Sequence, residues 1–229
     1  MINLMICVAD RRPAQKCLSV FNDFEKRKVV KLKTVVSESS FLGYLKNCFK
    51  REIKFINNEN RNEKQIFHAI NQNKINMIIS IQHPWVIPKI ILDSVNGFAF
   101  NIHFGNLPDY RGHHLGIHSI LNGEKNFSTT CHWMVDKVDR GYIAFSETSR
   151  IEKEDTSFSL QFKAIDHTVN LLSNLLSHFE KGVAVPKEPI KGKGCYYGIE
   201  SIQKLKKIKS TNDLVEVDRK SRAFYFPPH

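Results

Sequence analysis

Two short stretches hold residues whose types could do chemistry. The first reads Asn101-Ile102-His103-Phe104-Gly105-Asn106-Leu107-Pro108-Asp109-Tyr110-Arg111-Gly112. Asn101 and His103 stand two apart in a run of β-formers, so their side chains leave the same face of a strand. An amide supplies hydrogen-bond donors, and an imidazole carries a proton near neutral pH. Polar groups on an otherwise apolar parallel strand are costly unless they are satisfied or used. The pair also falls near the strand's carboxyl end, where open α/β sheets place their ligands. From the residues alone, a hydrogen-bonded asparagine and a satisfied core histidine fit equally well. The second stretch is Asp139-Arg140-Gly141, after His132-Trp133-Met134. An acid followed two positions later by glycine is by itself a turn signal. It gains meaning if its strand pairs beside the Asn101 strand.

The elements that must position these residues alternate in type. Continuous apolar runs predict buried strands at 2–9, 29–37, 77–82 and 97–104, with helices at 41–50, 61–73 and 88–95 between them. A helix is expected at about 113–121, ended by Asn122-Gly123. Two further strands, at 128–135 and 142–151, are joined by the 136–141 loop. A long amphipathic helix follows. Phe158, Phe162, Ile165, Val169, Leu172, Leu176 and Phe179 fall on one face, with Asp155 or Thr156 as cap and Gly182 at the end. Strands alternating with helices predict an α/β fold: a Rossmann-like, mostly parallel central sheet flanked by helices. The Pro-, Gly- and Lys-rich stretch 186–194 reads as a linker. It divides a catalytic domain (1–185) from a short C-terminal extension (186–229) with a helix at about 210–224. The GxGxxG and GxxxxGK[ST] phosphate loops are absent.

Bulk composition narrows the classes. The chain has 229 residues and 41% apolar content, enough for a proper core. No apolar run approaches the roughly 20 residues of a membrane span. The apolar start lacks a basic leader and cleavage site, so it reads as a strand rather than a signal peptide. Five scattered cysteines without a CxxC pair read as reduced thiols in a cytoplasm. The net charge of +11 favours anionic partners. Its dense runs, 187–193 and 204–209, are not interleaved with aromatics as a nucleic-acid channel requires, so a nucleic-acid-binding module is the weaker reading. His103, His113, His114 and His118 raise a zinc hydrolase, since His114 and His118 share a helix face. No HExxH and no carboxylate at the third position accompany them, and no metal is expected.

Taken together, the motifs resemble the folate-dependent formyltransferase family. The strand end Asn101-x-His103, the turn Leu107-Pro108-x-Tyr110-x-Gly112 and the loop Asp139-x-Gly141 occur in that family's order. Ile120-Leu121-Asn122-Gly123-Glu124 and Ser128-Thr129-Thr130-Cys131-His132-Trp133-Met134 extend the likeness, which runs from about 77 to 176. Two positions depart: Gly105-Asn106 precede Leu107-Pro108 where the family has Ser-Leu, and Ser128 stands at a usual glycine. The resemblance implies that Asn101, His103 and Asp139 are the catalytic residues, acting on a formyl group from 10-formyltetrahydrofolate. Asn101 and His103 would stabilise the negative oxygen, and His103 or Asp139 would take the amine's proton. The folate slot is expected against Gln82, Trp85 and Ile87 and against Val135, Asp136, Lys137 and Val138.

The ending Arg222-Ala223-Phe224-Tyr225-Phe226-Pro227-Pro228 and Cys195-Tyr196-Tyr197-Gly198 resemble small bacterial sugar N-formyltransferases, closest to those acting on dTDP-amino sugars. The acceptor implied is a nucleotide-linked amino sugar, such as dTDP-4-amino-4,6-dideoxyglucose, destined for surface polysaccharide (O-antigen). A cytoplasmic homodimer with no nucleic-acid or membrane partner is implied as well. Tyr110, Arg111, Arg222, Phe224 and Tyr225 are the candidate acceptor contacts. About 35 residues after the linker are too few for the second barrel domain of methionyl-tRNA formyltransferases. Glycinamide ribonucleotide transformylase is the competing reading within the family.

Overall fold

The computed structural model describes residues 1–49, 52–208 and 213–226. Its frame is a seven-stranded sheet of order β3-β2-β1-β4-β5-β7-β8. These strands are β1 (Ile2–Val8), β2 (Val30–Ser37), β3 (Lys54–Asn57), β4 (Met77–Ile81), β5 (Ala99–His103), β7 (Asn126–Trp133) and β8 (Ile143–Arg150). β3 through β5 pair in parallel, whereas β7 runs antiparallel to β5, and β8 to β7. Alternation along β1 divides the core between two faces. Leu4, Ile6 and Val8 join one apolar cluster, while Met5 and Cys7 join the other.

On the first face lie α1 (Arg11–Lys26), α2 (Ser39–Cys48), α5 (Leu115–Leu121) and α6 (Ser157–Glu180). The second face is covered by α3 (Glu63–Asn73) and α4 (Lys89–Ser94). α1 was not foreseen from the sequence. Asp10 caps it, its side chain accepting from Arg12 N at 2.9 Å, and Ala14, Cys17, Val20, Phe21 and Phe24 bury one stripe. The edge strand β3 was not foreseen either. It is short and only half buried, so its apolar signal is weak.

The long helix starts in a capping box between Thr156 and Ser159, with bonds of 3.0 and 3.1 Å. Its buried arc differs from the expected one. Leu160, Ala164, Leu171 and Leu175 join Ile165, Leu172 and Leu176, while Phe162 is 41% exposed. The large side chains mark one margin of a wide apolar face, and smaller ones meet the sheet. Phe162 is instead flanked by Phe158 and the Arg12 guanidinium.

Two short strands form a second sheet: β6 (Arg111–Gly112) pairs in parallel with β9 (Tyr196–Tyr197). A 3₁₀ turn (Ile199–Leu205) and α7 (Leu214–Ala223) complete the chain. Lys50, expected to end the second helix, Lys209 of the basic run and Ser210, expected to open the last helix, lie outside the described residues. So does the Pro227-Pro228 end of the tail. Among the described residues no helix is long and apolar enough to cross a membrane.

Candidate active site

β5 ends beside the antiparallel β7, with Asn101 directly opposite His132 in the register. Directly paired residues share a face, so the two side chains meet. Asn101 Nδ2 lies 3.1 Å from His132 Nε2. The loop after β7 then carries Asp139 back over the same spot, with φ +49° at Asp139. Asp139 Oδ1 stands 3.5 Å from Asn101 Nδ2, 3.6 Å from His103 Nδ1 and 3.4 Å from His132 Nε2. Its other oxygen, Oδ2, accepts the Gly112 N–H at 3.0 Å. The structure therefore brings Asn101, His103 and Asp139 together at the carboxyl end of β5.

His103 is 7% exposed and Asp139 8%. Burial pushes the His103 imidazolium down, and Asp139 and the Tyr110 carbonyl only partly offset this, so the ring lies below its ordinary value and is neutral at pH 7. Burial pushes Asp139 up, but the charge that His103 carries once protonated, the adjoining His132 and the Gly112 N–H outweigh it, holding the carboxyl well below the usual range. A neutral imidazole has one N–H. His103 Nε2 donates it to the Tyr110 carbonyl at 2.7 Å, so Nδ1 keeps the lone pair and faces the ionised Asp139. His132 donates from Nδ1 to the Trp133 carbonyl at 2.9 Å, leaving its Nε2 to accept from Asn101. One Asn101 amide hydrogen is thus held firmly. The other has only the 3.5 Å approach to Asp139 and is open to a better-placed acceptor.

A cavity of about 540 Å³ opens beside this cluster. Of the expected folate residues, Gln82, Trp85, Ile87, Val135, Lys137 and Val138 line it, and Asp136 does not. Trp85 Nε1 is buried without a hydrogen-bond partner, and the Arg61 guanidinium lies 4.0 Å from its ring centre. Between the two loops Trp85, Val86, Ile87, Val135 and Val138 give the cavity apolar walls, which suit a flat heteroaromatic ring.

The expected acceptor contacts are placed differently. Tyr110, Arg111, Arg222, Phe224 and Tyr225 are all absent from the cavity wall. The Tyr110 phenol donates to Glu124 at 2.6 Å, and Arg111 donates to the Lys193 carbonyl at 3.1 Å. Arg222 bonds the Asp155 carbonyl at 3.0 Å and Asp218 at 2.7 Å, which ties α7 to the start of α6. Phe224 packs on the core and Tyr225 is exposed. Tyr196 and Phe226, together with Arg12, His113 and Gln161, reach the wall.

Sequence reasoning also missed His132. The strand pairing that sets it against Asn101 needs a register, which a single sequence does not give. His114 and His118, weighed above only as a rival zinc pair, are engaged elsewhere. His114 caps α5 in the left-handed region and its Nε2 donates to the Ile199 carbonyl at 3.2 Å, while His118 Nε2 bonds Ser201 Oγ at 2.8 Å. Among the described residues no three His, Cys, Asp or Glu side chains are grouped to hold a metal ion.

Residues 12–176 match the family model described as formyl transferase. A GDP-perosamine N-formyltransferase of Brucella melitensis is 31% identical over 152 residues, which is 66% of this chain and 58% of that protein. The chain thus spans little more than half the length of this relative. An N-formyltransferase from Helicobacter canadensis, solved with folinic acid and dTDP-3-aminofucose, superposes with a TM-score of 0.79 at 21% identity, covering 99% of this chain and 81% of that one. A 4-N formyltransferase from Francisella tularensis gives a TM-score of 0.77 at 20% identity, covering 99% and 90%.

Proposed function

The chain belongs to the formyl transferase family, and from that premise and the site geometry we propose that it transfers a formyl group from 10-formyltetrahydrofolate to the amine of a nucleotide-linked amino sugar. The observation that carries this reading is the meeting of Asn101, His103 and Asp139 at the rim of one open cavity. The folate co-substrate supplies the electrophilic formyl carbon. The loops around Gln82, Trp85 and Ile87 and around Val135, Lys137 and Val138 hold it.

The chain's own groups do the rest. His103 Nδ1, with its lone pair free, collects the proton that the attacking amine sheds and can return it to the folate nitrogen that departs as its bond to the formyl carbon breaks. Asp139 stays ionised and stabilises the imidazolium, and its low carboxyl pKa makes it a poor base itself. The sequence left the base open between these two; the tautomer favours His103. The loosely held Asn101 hydrogen donates to the oxygen on which negative charge develops, a contact worth roughly 2.7–4 kcal/mol in acyl-transfer enzymes. No covalent enzyme intermediate is required.

The acceptor class rests on the named substrates of the relatives above, GDP-perosamine for one and dTDP-3-aminofucose for another. It also rests on the match of solved sugar N-formyltransferases across nearly the whole chain, extension included. Within this reading the enzyme is a cytoplasmic homodimer serving surface-polysaccharide synthesis, with residues 186–229 as an extension of the catalytic domain. The test is a formyl-transfer assay with 10-formyltetrahydrofolate against dTDP-, GDP- and UDP-amino sugars and glycinamide ribonucleotide. Turnover of an amino sugar, abolished by His103→Ala in a folded protein, is expected. Conversion of glycinamide ribonucleotide alone overturns the acceptor, and full activity of His103→Ala overturns the mechanism.

A further inference from the structure

The segment after β5 has two working edges. In extended backbone, N–H and C=O groups of alternate residues point to opposite sides. Tyr110 and Gly112 face the site: the Tyr110 carbonyl accepts from His103 Nε2 at 2.7 Å, and the Gly112 N–H donates to Asp139 Oδ2 at 3.0 Å. Arg111 and His113 face the other way, onto β9. Arg111 N donates to the Cys195 carbonyl at 3.1 Å and His113 N to the Tyr197 carbonyl at 2.8 Å, while Cys195 N donates to the Asp109 carbonyl at 3.3 Å. The approach is close. Gly112 adopts φ +95°, and a Cβ there would stand 2.2 Å from the Tyr197 carbonyl oxygen.

One side chain fastens β9 from below. The Tyr197 ring stacks on His118 at 4.0 Å and on Tyr110 at 5.4 Å. Its hydroxyl accepts from Asn122 Nδ2 at 3.1 Å, and the same amide reaches the Tyr110 hydroxyl at 3.0 Å. Tyr197 is absent from the cavity wall, so any effect it has on the reaction is indirect.

We propose that the strap Cys195–Tyr197, fastened by Tyr197, is a positioning element that holds the Tyr110–Gly112 main chain where it sets the His103 tautomer and the Asp139 rotamer. The assignment of His103 and Asp139 as the reacting pair rests on the function proposed above; the mechanical link between strap and pair does not. Tyr197 thereby acts on the reacting pair although its own side chain does not line the cavity. Tyr197 and Asn122 are its positioning residues.

The test uses the full chain carrying Tyr197→Ala, Tyr197→Phe and Asn122→Ala, each checked for folding by circular dichroism. Removing the ring lets the Tyr110–Gly112 segment drift, and displacement on the ångström scale costs about 10²-fold in kcat. KM for the formyl donor stays within about twofold, since the slot is built elsewhere. Tyr197→Phe keeps the stack and loses only one of the two bonds that Asn122 makes, so kcat stays near the wild-type value, whereas Asn122→Ala loses both and frees the Tyr110 ring as well as Tyr197. The groups facing His103 are Asp139, His132 and His113. Loosening Asp139 and the Tyr110 carbonyl removes the two that favour the imidazolium, so the acid limb of kcat/KM moves to lower pH.

A second readout needs no substrate: ¹⁵N NMR of the His103 ring. A single neutral Nε2–H tautomer is expected in the wild type and in Tyr197→Phe, and mixed tautomers in Tyr197→Ala. Should Tyr197→Ala not fold, Asn122→Ala carries both readouts. A folded Tyr197→Ala or Asn122→Ala with unchanged His103 tautomer and unchanged acid limb overturns the proposal. If the wild type formylates no amine, the functional reading fails while the NMR comparison still decides the strap.

Discussion

Asp139→Asn offers the most searching perturbation, because it keeps the shape of the side chain and removes its charge. In the wild type Oδ1 stands 3.6 Å from His103 Nδ1. At an effective dielectric constant of about 20, a carboxylate and an imidazolium at that distance attract by roughly 5 kcal/mol. That attraction exists only once His103 has taken the amine's proton, so it lowers the barrier rather than the ground state. Its loss corresponds to about 10³-fold in kcat. The asparagine also turns its own chemistry against the base. The Gly112 N–H, 3.0 Å from Oδ2, demands an oxygen there, which directs the new NH₂ toward His103 Nδ1 and occupies its lone pair. We expect kcat to fall by about 10³-fold with KM for both substrates nearly unchanged. The acid limb of the pH profile should move to lower pH, since Asp139 raises the His103 pKa. The measurement is steady-state formyl transfer across pH 5–9 with a folding check. An Asp139→Asn enzyme within threefold of wild type, with its acid limb in place, refutes the electrostatic role.

Gly141 lies so close to β7 that a Cβ would stand 1.6 Å from the Trp133 carbonyl oxygen; Gly141→Ala should displace the Asp139 loop and lower kcat by about tenfold or more, measured beside the melting temperature. Phe100 is fully buried with its ring centre 4.4 Å from that of Trp133, so Phe100→Ala should cost about 3–5 kcal/mol in urea unfolding. Stability should fall in two stages on acidification. Burial lowers His83 and His118 to about 4, so the unfolded chain binds more protons than the folded one below about 6.5, and stability drains away between there and about 4. Asp139 and Asp155 have depressed carboxyls; their contribution is present above about 3.9 and is lost as pH falls through the folded values. Urea midpoints between pH 7 and 3 report both stages, and a flat curve from pH 7 to 4.5 contradicts the first.

The central strands were legible because burial on both faces leaves an unbroken apolar run, as in Met77–Ile81, where every residue is buried. The long helix was legible for its period, yet its face was misjudged by counting the bulky residues. α1 escaped notice because its buried stripe lies among Arg12, Lys16 and Lys26, which mask the apolar signal. In the site, Asn101 and His103 could be found as a strand pair, and Asp139 from the motif. The partners that orient them could not. His132 acts through strand register, and Tyr110 and Gly112 act through main-chain atoms that carry no side-chain signature. The tail shows the same limit. Phe226 rather than Phe224 or Tyr225 faces the cavity, a choice made by where α7 ends.

The two contacts that set the reactive pair end on peptide groups, not on side chains. A carbonyl persists through every codon change, and an amide hydrogen is deleted only by proline. Drift at position 111 therefore leaves the wiring of the site untouched, and alanine at 109 or 111 would pass over it. A backbone ester at residue 112, which replaces that single N–H with oxygen, is the edit that exposes it.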